Sequence, residues 1–271
     1  MIVFIGDDER QEAIPPTFND IDCMRHSLIS IGVVLSVSAL ACGTRTELAA
    51  GTDAPAASIV PTALDTAQFR RVAQSVVDAF ALEVSKARGG SLAPTPQVDV
   101  RNTPQLISFQ GTPNRIIVPW WGTTAPEMRA VFRTFAGATD ADAERLFRVV
   151  FNQFLIAHEA GHWFQARANR REATLYANED AANRLAVAFW RTQPRGEQFL
   201  ADVERLVTRA ADALPDPTPA GEDPVAYFGA NYQALGADPL KYGYYQFRFM
   251  RDAVRARATL DFAKLVGNRS E

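Results

Sequence analysis

The chain has 271 residues, 47% hydrophobic and 22% charged, which suits one globular domain, or at most two, with a sizeable core. Its net charge is −3, and six acids but only two bases precede residue 42, so the remainder is close to neutral. That balance excludes the basic surface of a nucleic-acid binder and the acidic tail that a cationic partner would read.

Both cysteines, Cys23 and Cys42, lie near the N-terminus. A disulfide framework and a cysteine-ligated metal are therefore excluded for everything beyond them. The stretch "MRHSLISIGVVLSVSALACG", Met24 to Gly43, has the layout of a secretory signal: Arg25 and His26, then an apolar run too short to span a membrane, then small residues. Ala41-Cys42-Gly43 resembles the lipobox of bacterial lipoproteins, although Ala39 stands where Leu is commonest in that motif. The resemblance implies cleavage before Cys42, a lipid on its sulfur, and an extracytoplasmic protein anchored to the cell membrane. The alternative is a secreted protein with an incidental Cys42. A signal should open the protein, yet an acidic stretch with Pro15-Pro16 comes first, so we expect translation to start at Met24. Residues 1–41 are read as leader and residues 42–62, rich in Ala, Thr, Gly and Pro, as a flexible tether.

Residues 63–271 read as one domain. Apolar positions from Phe69 to Val84 recur at three and four, which predicts an amphipathic helix ending near Gly89-Gly90. Three β-like runs follow: Gln97 to Val100, Gln105 to Gln110 and Arg115 to Trp121. Pro119 suggests that the last of them lies at a sheet edge, where an extended peptide can add as a further strand. Helices are predicted for Pro126 to Phe135, Ala141 to Ala168, Asn178 to Thr192, Gly196 to Leu214, Pro224 to Leu235 and Tyr242 to Val266. The expected class is α+β, mainly α-helical, with a small sheet near the start of the domain.

Within the long helix lies "AHEAGHW", Ala157 to Trp163. His158 and His162 stand at i and i+4, so both imidazoles share one helix face and can reach one ion, with Glu159 beside them to hold a water. The third histidine of the chain, His26, is in the leader, so the domain places its only two imidazoles in this motif. A catalytic zinc takes three protein ligands and a water. With no other His or Cys in the domain, the third ligand is expected to be Asp or Glu.

H-E-x-x-H together with "YANEDAANRLAVAFW" downstream, Tyr176 to Trp190, in which Glu179 to Asn183 reads E-x-x-A-N, resembles the gluzincin metallopeptidases, whose second helix carries E-x-x-A-D or its Asn variant. The resemblance covers only Phe151 to Phe189. It implies a zincin-like fold, Zn2+ held by His158, His162 and Glu179, and Asn183 supporting a zinc-bound imidazole. It also implies Glu159 as general base in the hydrolysis of a peptide or protein substrate. Asp180 and Glu172 are rivals for the third ligand. Without a spare histidine, the donor to the developing oxyanion is sought among tyrosines, then arginines. Tyr245 is the first choice in a C-terminal stretch that also holds Tyr242, Tyr244, Arg248 and Arg251; Tyr227 and Tyr232 are further options. A zinc-holding module without efficient turnover is the alternative to an enzyme.

Overall fold

A computed structural model describes residues 65–137 and 139–267. The leader, Cys42 and the tether lie outside the described residues. Helix α1 (Thr66–Arg88) starts where Asp65 accepts a hydrogen bond from the Gln68 amide, and ends at Gly89 with φ 69°, a left-handed cap. The three strands are β1 (Gln97–Val100), β2 (Ser108–Gln110) and β3 (Arg115–Val118). Next come α2 (Pro126–Ala136), α3 (Asp140–Leu146), a π-helical segment (Phe147–Phe154) and α4 (Leu155–Arg167). The remaining helices are α5 (Leu175–Thr192), α6 (Gly196–Ala213), α7 (Pro224–Ala230), α8 (Tyr232–Gly236), α9 (Pro239–Arg255) and α10 (Phe262–Val266). The described residues are mainly helical with one small sheet, as the sequence pattern indicated.

The sheet order is β1-β3-β2, with β1 parallel to β3 and β2 antiparallel to it. This corrects the expected placement of β3: it is the central strand. Pro119 lies just beyond its last residue, so its missing N–H removes nothing from the ladder. The edges belong to β1 and β2. Gln74 of α1 covers the first, accepting from the Val98 amide at 2.8 Å and donating to the Pro96 carbonyl. On β2 the amide of Phe109 donates to a carboxylate of α4, described below. Strand β2 is also shorter than the run Gln105–Gln110, because the chain turns over Thr103–Leu106 and Leu106 takes φ 61°.

The predicted helix Ala141–Ala168 exists as α3, the π segment and α4 run together. Every residue of α4 from Leu155 to Gln165 is buried. Helix α1, α5, β2 and β3 all pack against it. This explains why Leu155–Gln165 carries no charge apart from the motif: a stretch covered on all sides has no solvated face. The predicted helix Tyr242–Val266 is broken, since α9 ends at Arg255 and Asp261 caps a new start for α10. Below α4 an aromatic cluster fills the core: Phe132 packs on Trp121, Phe135, Phe147 and Phe151 with ring centroids 5.0–6.1 Å apart.

Phe132 is fully buried and Leu82 is 54% exposed. In urea denaturation Phe132→Ala should lower the unfolding free energy by about 3–5 kcal/mol. Leu82→Ala should change it by less than about 0.5 kcal/mol.

Candidate metal centre

The motif helix supplies two nitrogens. His158 Nε2 and His162 Nε2 lie 3.0 Å apart, one helical turn from each other. The first turns of α5 supply an oxygen: Glu179 Oε2 is 3.4 Å from His158 Nε2 and 3.8 Å from His162 Nε2. All three side chains are buried, and their ligand atoms lie within 4.8 Å of one another, so the group can hold a metal ion. It is the one such group among the described residues.

Small residues allow the two helices to meet. A Cβ on Gly161 would stand 3.4 Å from the Ala182 carbonyl oxygen and 3.6 Å from the Ala182 Cβ. Gly161 precedes His162, and Ala182 is three residues beyond Glu179. The close crossing is therefore at the place where the carboxylate must reach the imidazoles.

Glu179 and His162 are oriented from behind. Gln246 Nε2 donates to Glu179 Oε2, and Tyr232 Oη donates to Oε1 at 3.2 Å. Gln246 Nε2 also reaches Tyr242 Oη at 3.0 Å. His162 Nδ1 lies 2.6 Å from Gln165 Oε1. Asn183 gives its Nδ2 to the Glu179 carbonyl at 2.9 Å. Its Oδ1 and His158 Nδ1 are each buried without a partner at normal hydrogen-bond geometry, although Asn183 still favours the charged form of His158. Glu159 is held at one oxygen: the Phe109 amide donates to Oε2 at 2.7 Å, while Oε1 is buried and unpartnered.

The electrostatics follow from burial and mutual charge. Burial opposes ionisation of Glu179, but His162 and His158 outweigh it and hold the carboxyl well below its usual range. Burial lowers His162 to about 4, and the neighbouring His158 adds to the effect. Burial also pulls His158 down, yet Glu179 and Glu159 carry it above the ordinary imidazole value. Glu159 is pushed up to about 7, chiefly by burial. Before any metal enters, these shifts favour the charged form of His158 and the neutral form of His162.

The sequence-named residues divide as follows. His158, Glu159, His162, Glu179 and Asn183 come together. Asp180 does not join them: it pairs with Arg184 at 2.6 Å. Glu172 is likewise absent from the ligand group. The hydroxyl of Tyr245 bonds Thr218 at 2.6 Å and its ring packs on Phe228 and Tyr176. Tyr242 and Gln246 are one turn apart on α9 and form the face that meets Glu179. Tyr245 is about 60° around the helix from Tyr242. Sequence reasoning missed Gln246, Gln165 and the Phe109 amide; the signals were Gln246 at four from Tyr242 and Gln165 at three from His162.

No protein-family model, curated protein or solved structure matches the chain.

Gly161→Val tests the helix crossing. Its methyl groups must push α5 away, so unfolding free energy should fall by about 1–3 kcal/mol. Metal affinity, read by chelator competition, should fall with it, whereas Gly161→Ala should change both little.

Proposed function

We propose that the chain is a zinc-dependent metallopeptidase of gluzincin type. The observation that carries this is the spacing of the three ligand atoms. At 3.0, 3.4 and 3.8 Å they bracket the separation of about 3.3–3.4 Å between ligands bound tetrahedrally at about 2.0–2.1 Å. Two imidazoles and a carboxylate are a donor set that suits zinc and leaves a fourth position for water.

His158, His162 and Glu179 would hold the zinc ion, which when bound would supply a water of lowered pKa and a Lewis acid toward a carbonyl. The remaining work falls to the chain. Phe109 fixes Glu159 by Oε2, which leaves Oε1 as the oxygen that takes a proton from the water and passes it to the leaving amine. Tyr232, whose single O–H donates to Glu179 Oε1 in this structure, is the candidate donor to the developing oxyanion once that hydroxyl turns from the carboxylate. Burial, then Glu179, raise its pKa, so its hydroxyl stays protonated and able to donate. The substrate class is a peptide or protein. The leader and the Cys42 motif support a lipid-anchored, extracytoplasmic location.

One observation favours a second reading, a zinc-holding module without efficient turnover: Glu159 already has one oxygen engaged by Phe109. Cleavage of a peptide library by the wild type and by Glu159→Gln decides between them. The enzyme reading expects equal zinc content and a loss of about 10²–10⁴-fold in the variant. Zinc in both proteins with cleavage by neither supports the module, and equal cleavage by both contradicts the role of Glu159.

A further inference from the structure

Gln165 belongs to the site but has no part in the chemistry proposed above. It lies three residues beyond His162 on α4 and is 2% exposed. Its Nε2 donates to the Asn178 carbonyl at 3.0 Å. A carbonyl only accepts, so the amide is oriented with its NH2 toward Asn178 and its oxygen toward His162. That oxygen, 2.6 Å from His162 Nδ1, has no proton to give. The proton must therefore sit on Nδ1, and the lone pair on Nε2 faces His158 and Glu179.

The second hydrogen bond has a separate consequence. Asn178 immediately precedes Glu179. One carboxamide thus joins an imidazole of the motif helix to the backbone beside the carboxylate of α5. Glutamine suits this position because it accepts at one end and donates at the other. Glutamate retains only the acceptor, and methionine retains neither.

We infer that Gln165 is a positioning residue for the metal ion: it selects the His162 tautomer that presents Nε2 and ties the two ligand-bearing helices together. The inference rests on reading His158, His162 and Glu179 as a zinc site, but the tautomer belongs to the metal-free protein and can be read without zinc. Asn183, expected to orient an imidazole, donates to the Glu179 carbonyl and also favours the charged form of His158. Gln165 Oε1 is the partner of His162 Nδ1, at 2.6 Å.

The test uses the full chain as wild type, Gln165→Met and Gln165→Glu. Long-range proton–nitrogen NMR of the metal-free proteins reads the tautomer, and competition with a chelator reads zinc affinity. Wild type and Gln165→Glu should carry the His162 proton on Nδ1. Gln165→Met should shift it toward Nε2 and weaken zinc about 10- to 100-fold, with Gln165→Glu losing less than Gln165→Met. A merely structural Gln165 would lower the melting temperature of Gln165→Met and leave the tautomer unmoved, which overturns the inference. So does a wild-type His162 protonated on Nε2, a result that stands even where Gln165→Met does not fold. Failure of the wild type to bind zinc, with the Nδ1 proton in place, overturns the metal site and leaves tautomer selection intact.

Discussion

A carboxylate taken out of water costs several kcal/mol unless opposite charge and hydrogen bonds meet it. Glu179 is in that position, 1% exposed, with two imidazole nitrogens within 3.4 and 3.8 Å. Three atoms that all presented lone pairs would repel at such range, so a proton or a metal ion must lie among them. A proton on His158 supplies part of that charge, and a metal ion supplies it to all three ligands at once. Gln246 and Tyr232 then fill the remaining acceptor positions of the carboxylate.

Much of the fold serves to bring these charges together and keep them there. Gly161 and Ala182 let α4 and α5 approach closely enough for Glu179 to reach across. The π segment and the aromatic cluster below it hold α4 with no face toward solvent. Sheet β1-β3-β2 presents its β2 edge to the motif, where the Phe109 amide takes one oxygen of Glu159. Helix α9 closes the arrangement from behind Glu179, with Tyr242 and Gln246 on one face.

The ligands were legible in sequence because their signals are local. His158 and His162 share a helix face by spacing alone, and the scarcity of histidine pointed to a carboxylate. Glu179 and Ala182 could be picked out because one short helical pattern carries both the charge and the small residue. The features that escaped are non-local. Strand β3 becomes central only because β1 joins it in parallel, which Pro119 at its end does not reveal. Which tyrosines lie beside Glu179 and Gln246 depends on how α8 and α9 rotate against α5. Gln165 looks like an ordinary core residue until the Asn178 carbonyl is placed opposite it. The π segment and the break after Arg255 leave no Gly or Pro in their residues to announce them.

The central claim is that His158, His162 and Glu179 share one metal ion. Anomalous diffraction at the zinc absorption edge, from crystals of the full chain grown with zinc, tests it most directly. The account predicts one peak per chain, about 2.0–2.2 Å from His158 Nε2, His162 Nε2 and a Glu179 carboxylate oxygen. A folded chain with no peak there, or with zinc on Asp180 or Glu172 in place of Glu179, would contradict it.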